Sequence, residues 1–498
     1  MKKPIGWAAC GCLMMALGAA GVRAQTGAAP LGIFSDHADV GVVLHAGSAR
    51  YDEARRTYTI AGSGENVWGT ADAFQFVWKK IEGDFALTAG ISILGAGGNP
   101  HKKAILMARQ SLDADSAYAD VAVHASGLTS LQSRAAKGEQ THEVQANVSA
   151  PKRVRLVKHG DEFSLWIAGE DGKFQPSGAA MRVPLKGPFF VGLGVCAHDK
   201  DAVETAVFSD VESKHLPTVS VSGVSEGALE TIAVASTDRR VTYASSLPDV
   251  GSPTWTHDGA SLLFWHDGSI ESVPVAGGKP ETVSAGSASR IGWFYSVSPD
   301  GATLAFTHSA DRSIYLMPSG GGQPRRVTAK SPSDSPGWSP DGETLVFTGT
   351  REGRLGIYTI PAAGGPEALL TTVPSGGFAE YSPDGKYIYF NSASSGAMEI
   401  WRMKPDGSEA EQVTKNGAGS WFPHVSPDGR LLAFLTPQRP DSGSPADTVL
   451  PVALQLMTLA DGQVRTLAKF TGGVTSMPNP PWSPDSKRIA FASFQGLK

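Results

Sequence analysis

The sequence predicts an all-β chain in two parts, and three observations carry that prediction. One short phrase recurs six times in the second half. Apolar residues alternate with a period of two through much of the first half. Gly 58 and Pro 33 among 498 residues supply turns throughout, as a chain of many short strands requires.

Read in order, residues 1–24 have the form of a secretory signal. Lys2 and Lys3 open it, Ile5 to Val22 is largely apolar, and Val22-Arg23-Ala24 is a small-residue cleavage site. Cleavage would remove three cations and leave 40 Lys+Arg against 48 Asp+Glu, a net charge of −8, with no membrane anchor expected afterwards. No dense basic block remains, which argues against nucleic acid as a partner. Cys196 is the single cysteine left, so no internal disulfide is expected. Its setting in Phe189-Phe190-Val191-Gly192-Leu193-Gly194-Val195-Cys196 reads as core.

Residues 31–215 read as a β-sandwich. Phe74, Phe76 and Trp78 alternate, as do Phe85, Leu87, Ala89, Ile91 and Ile93, and Phe163, Leu165 and Ile167. That period means strands with one buried face. Gly98-Asn99-Pro100, Gly160-Asp161 and Asp171-Gly172 punctuate them as turns. With no long helical period between, the expected architecture is jelly-roll-like. Residues 216–228 form a Ser/Val/Gly-rich linker.

Residues 229–498 carry the repeated phrase. It reads Trp255-Thr256-His257-Asp258-Gly259, Ser298-Pro299-Asp300-Gly301 and Trp338-Ser339-Pro340-Asp341-Gly342. It returns as Tyr381-Ser382-Pro383-Asp384-Gly385, Val425-Ser426-Pro427-Asp428-Gly429 and Trp482-Ser483-Pro484-Asp485-Ser486. The aspartates step by 42, 41, 43, 44 and 57 residues. A period in that range marks a β-propeller with one four-stranded blade per repeat. After the sixth phrase only Arg488 to Phe494 remains, while two strands, Leu229 to Ala235 and Arg239 to Ala244, precede the first phrase unmatched. The expectation is six blades, closed by strands from both ends of the region. Closure removes free sheet edges. The long fifth interval holds an exposed insertion, Pro437 to Val449.

The six copies share spacing and order, and the phrase, followed by Leu/Ile-x-Phe-x-Ser/Thr and Ile-Tyr-x-Met, resembles the TolB-like (WD40-like) propeller repeat. The segments Gly64-Glu65-Asn66-Val67-Trp68-Gly69-Thr70-Ala71-Asp72 and Met107-Ala108-Arg109-Gln110-Ser111-Leu112 resemble a concanavalin A/laminin-G-like sandwich. True TolB has an α/β domain in that place, so the resemblance does not bring the Tol–Pal envelope role with it.

The aspartates of the phrase read as turn residues. Pro presets φ, Asp bonds nearby N–H groups and Gly follows freely, while the preceding Trp or Tyr fills space between blades. The opposite face should collect His266, His308, Arg351, Trp421 and His424. Three histidines from three blades could take a divalent metal, loosely similar to oligogalacturonate lyase, although no cofactor is assigned. In the sandwich, Arg109, Asp120, His124, Gln132, Arg134 and Trp166 are candidates for a saccharide, through stacking and hydrogen bonds. Asp113 and Asp115 give a weak calcium pattern.

These readings lead to a periplasmic or secreted binding and scaffold protein of the bacterial cell envelope. Its propeller face would take a protein or glycan partner, with an accessory, carbohydrate-binding sandwich. The alternative is a polysaccharide-active enzyme, a metal-assisted lyase or glycoside hydrolase, using the propeller face. No Gly-x-Ser-x-Gly elbow, His-Glu-x-x-His, phosphate loop or dinucleotide fingerprint supports another chemistry.

Overall fold

The computed structural model describes residues 30–217, 226–236, 238–283, 290–438 and 448–495. The expected signal, most of the linker and residues 439–447 of the insertion lie outside them. The described residues contain strands and turns and no helix. None of them forms a helix long and apolar enough to cross a membrane.

Five separate four-stranded antiparallel sheets follow one another along the second half, each with its strands in chain order. Their first strands are Val250–Trp255, Ile291–Val297, Ser333–Trp338, Gly376–Tyr381 and Trp421–Val425. This is a β-propeller region. The expected count of six blades is corrected to five. The strands from the two ends do meet, Glu226–Ala233 pairing with Arg488–Gln495 from Glu226↔Gln495 to Ala233↔Arg488. They do not stand as a separate blade, because the next strand, Arg239–Ser245, also takes His142–Gln145 beside it through the parallel pair Gln145↔Arg240. Their sheet therefore runs on into a ten-stranded sheet of the N-terminal half.

A seven-stranded sheet shares a core with that larger one. Val77, Leu106, Val121, Leu131 and Leu193 come from the ten-stranded sheet, and Ile60, Leu87, Leu156, Leu165 and Phe208 from the seven-stranded one. All are fully buried, as the period of two requires. Ala228 and Val241, from the strands that meet at the propeller's ends, join the same cluster. Gly178 makes that junction possible. Its φ is +81°, and a Cβ there would lie 2.9–3.0 Å from the methyls of Ala244, Ala228 and Val241.

Glu226 sits at this junction with Oε2 buried and, among the described residues, without a hydrogen-bond partner. Burial, with the like charge of Glu162 second, pushes its carboxyl up to about 7. A folded state that holds the proton above the ordinary range loses stability as pH rises from about 4.5 to about 7 and is level beyond that. Glu226→Gln is therefore expected to leave stability unchanged at pH 4 and to raise it at pH 8 by roughly 1–2 kcal/mol, discounted for partial exposure. Urea unfolding at the two pH values measures this, and an equal effect at both would contradict the assignment.

The repeated turns are built alike. In each, the Ser or Thr hydroxyl donates to the Asp two residues on: 2.6 Å for Thr256–Asp258, 2.5 Å for Ser298–Asp300 and for Ser339–Asp341, and 2.6–2.7 Å in the other three. The same hydroxyl accepts the N–H that opens the second strand, as from Thr303 and Thr344. These bonds hold the aspartates below the usual carboxylate range, Asp384 at about 2. The turn reading of the phrase agrees with this geometry. The tryptophans do more than fill space. Trp255 donates its indole N–H to Pro481 O, Trp338 to Ser296 O and Trp482 to His424 O, each acceptor lying just before or within the strand that leads into the preceding phrase.

Candidate functional site at the propeller axis

All five first strands break register at the same place, between Gly251/Thr254, Ile291/Tyr295, Asp334/Gly337, Gly377/Glu380 and Trp421/His424. A bulge re-aims the side chains around it. Ser252, Ser335, Phe378 and Phe422 hold left-handed φ of 53–56° at these bulges, a conformation costly enough that surrounding structure must impose it. Ser335 and Phe378 are held there by bonds from their N–H groups to Thr307 Oγ1 and Thr348 Oγ1 of the preceding blade.

The result is an aromatic mouth. The rings of Phe294 and Phe378, from the second and fourth blades, lie 5.6 Å apart, and those of Phe378 and Phe422 4.8 Å. Non-adjacent blades can touch this way only near the axis. Trp421 stands 6.2 Å from Phe422, and Trp293 6.2 Å from Trp265. Phe422 is buried and Phe294, Phe378 and Trp421 are half-buried, whereas Trp293 is 43 % exposed.

A polar layer lies against these rings. Asn479 donates to Ser252 O and Trp293 O and accepts from Tyr295 N–H, and the Tyr295 hydroxyl donates to Ser252 O. His424 Nδ1 is 2.6 Å from Glu380 Oε2 and its Nε2 2.9 Å from Met477 O. A carbonyl only accepts, so Nε2 is the donor to Met477 O, and Nδ1 faces the Glu380 carboxyl. Tyr295, Glu380, His424 and Asn479 line one small cavity there.

The other residues expected on this face are engaged separately. His266 bonds Glu271 at 2.9 Å and Asp249 at 3.2 Å. Burial opposes its protonation, but the bonds to Glu271 and then Asp249 prevail and raise its pKa. His308 bonds Asp311 at 2.9 Å, and Arg351 bonds Glu367, Pro332 O and Ser333 Oγ. The three histidines share no partner. Among the described residues no group of three or more His, Cys, Asp or Glu is placed to hold a metal ion, so the divalent-metal reading has no ligand set. At the suggested calcium pattern, Lys137 Nζ already sits 2.6 Å from Asp113 and 3.3 Å from Asp115.

Of the residues expected to form a saccharide site, Arg109, Asp120, His124, Gln132 and Arg134 share the ten-stranded sheet, where Gln132 pairs with Asp120, while Trp166 stands on the other sheet. Arg109 and Arg134 are fully buried and clamp Asp72, at 3.3 Å and 2.8 Å. They hold the segment around Asp72 against the sheet. Gln132 lies in the same sheet and donates to Ser130 and Glu143. Trp166 stands on the seven-stranded sheet, where its indole donates to Ser164 Oγ. Asp120 is fully buried with no partner on either oxygen among the described residues, and burial raises it well above the carboxylate range. His124, with both ring nitrogens likewise free, is lowered by burial to about 3. Cys196 is buried, which pushes its thiol up to about 11, in keeping with a core role.

Sequence reasoning found Trp421 and His424 but missed Trp293, Phe294, Phe378 and Asn479. A signal was present. The doublets Trp293-Phe294 and Trp421-Phe422 begin five residues before the serine of their phrases, and Phe378 stands four before Ser382.

Comparison with known proteins agrees with this architecture. The family model described as TolB beta propeller domain matches residues 334–447. The uncharacterized protein Atu1656 of Agrobacterium fabrum is 36% identical over 248 residues, 49% of this chain and 84% of that protein. The solved structure of a putative TolB from Agrobacterium tumefaciens is 35% identical with a TM-score of 0.51, covering 55% of this chain and 100% of that one. An oligogalacturonate lyase in complex with manganese, at 13% identity and a TM-score of 0.33 over 49% of this chain and 67% of that one, is too distant to bear on activity. On the repeated turns, the bulged inner strands and these relatives together, the chain belongs to the TolB-like β-propeller family.

Proposed function

We propose that this is an exported binding protein of the bacterial cell envelope, periplasmic or secreted, that takes a partner at the axial aromatic mouth. The contact of Phe294 with Phe378 across non-adjacent blades carries this reading. It gathers aromatics from three blades beside an exposed Trp293, the composition of a buried interface anchor with a polar surround. The apolar stretch Ile5 to Val22 supports export, and the negative charge of the remaining chain suits a partner other than nucleic acid. The partner is a protein or a glycan, and the two-sheet N-terminal half is an accessory, sandwich-like module. The metal-assisted lyase version of the polysaccharide-active alternative lacks geometric support, since the histidines it needs bond separate carboxylates.

Site-specific photocrosslinking tests the reading. A benzophenone side chain at Trp293, activated in intact cells, is expected to give a discrete adduct that is lost in Phe378→Ala. The same probe at Val464, an exposed residue on an outer strand, should give none. Equal adducts at both positions, or adducts indifferent to Phe378→Ala, would overturn the assignment.

A further inference from the structure

A groove lies on the other side of the propeller, between the second and third repeats, and no role described so far uses it. It encloses about 780 Å³, with Leu316, Met317 and Trp338 among its apolar lining and the turns of Asp300 and Asp341 at its sides. Between the first and second repeats the corresponding space is taken by His257, 2.8 Å from where a Cβ on Gly301 would be. Between the second and third, the nearest atom to the equivalent point on Gly342 is a Pro299 carbon at 3.8 Å. Val297, like Val425, stands where Trp255, Trp338, Tyr381 and Trp482 stand in the other repeats.

The charge around the groove is uneven. Two residues after each turn aspartate the chain carries Ala260, Ala302 and Glu343 in the first three repeats, but Lys386, Arg430 and Lys487 in the last three. Lys386 and Lys487 pair with their own aspartates at 3.0 Å and 3.4 Å. Among the described residues no Lys or Arg forms an ion pair with Asp258, Asp300 or Asp341. The bonds that shape the turns occupy Oδ1 of Asp300 and Asp341 and leave Oδ2 open. Half of this face is therefore anionic, and the groove opens within that half. Arg325, at its wall, is tied to the carbonyls of Ala362 and Ala363.

We propose that this groove binds an extended polypeptide segment of a partner protein in which a lysine or arginine stands beside an apolar residue. The cation lies between Asp300 and Asp341, its aliphatic stem runs along the half-buried Trp338 indole, and the apolar neighbour reaches Leu316 and Met317. Complementary charge fixes register and speeds association, while the apolar contact retains the segment. The turns close the far ends of the strands whose near ends carry the aromatic mouth, so both sites can be occupied at once.

The probe is a fluorescein-labelled decapeptide with lysine at every third position and leucine and alanine between, read by fluorescence anisotropy against the full chain. Asp300→Asn combined with Asp341→Asn keeps the Oδ1 acceptors and removes both charges, so its circular dichroism and melting should match wild type. It is expected to weaken binding at least tenfold, about 1.4 kcal/mol, while Asp384→Asn changes it less than twofold. Ala363→Trp, which fills the groove from an exposed position, should abolish binding. The proposal is overturned if the wild-type protein does not bind the peptide, if a glutamate-for-lysine peptide binds as tightly, or if Ala363→Trp binds normally.

Discussion

Asp72→Asn is expected to destabilise the N-terminal half by about 3–5 kcal/mol, the usual cost of breaking a buried ion pair from one side. Asp72 lies between two guanidiniums, with Arg134 at 2.8 Å and Arg109 at 3.3 Å and every side chain at 0% exposure. Both arginines also donate to backbone carbonyls of the covering loops: Arg109 to Ser111 and Asp113, Arg134 to Gly69, Ala114, Ser116 and Glu139. An amide retains the shape but cannot neutralise two buried cations. Urea unfolding should show the midpoint falling with the slope unchanged. Arg109→Met in the Asp72→Asn background should recover part of the loss, since one stranded charge is removed. A fall below 1 kcal/mol, or no recovery, would mean that water screens the cluster.

Trp482→Ala should cost a similar 3–5 kcal/mol, for a different reason. The residue is 6% exposed and packs in a cluster with Phe422, Leu454, Phe470 and Phe491. Its indole donates to His424 O at 3.0 Å, and its backbone forms an isolated bridge to Ile489. Truncation opens a cavity and leaves that carbonyl without its donor. Trp482→Phe isolates the hydrogen-bond part, about 1 kcal/mol. Trp338→Ala provides the comparison: its indole borders the groove, so it has less packing to lose. Chemical denaturation of the three variants should rank Trp482→Ala first. Trp338→Ala as the costliest would contradict the packing described.

The propeller was legible because its code is local. Ser, Pro, Asp and Gly make the same turn wherever they occur, and the hydroxyl-to-carboxylate bond in all six copies is the reason the phrase recurs. The number of independent blades was not legible. It depends on Gln145↔Arg240, a single pair between residues almost a hundred positions apart. The aromatic mouth was half visible, since Trp421 and His424 were marked by type while Phe378 reaches the axis only through a bulge. The pairing of Arg109 and Arg134 with Asp72 was not legible, because a guanidinium suits a ligand as well as a carboxylate. What marks the pairing is Asp72, a residue of the two-residue strand Ala71–Asp72.

The junction between the two halves has a thermodynamic consequence. A chain of two folds joined by a linker would melt in two steps, each with its own enthalpy. Here the strands that bring the propeller's ends together, Glu226–Ala233 and Arg239–Ser245, supply Ala228 and Val241 to the core of the other half. Neither half can lose its structure without exposing apolar surface on the other, so heating should give one cooperative calorimetric transition whose van't Hoff and measured enthalpies agree.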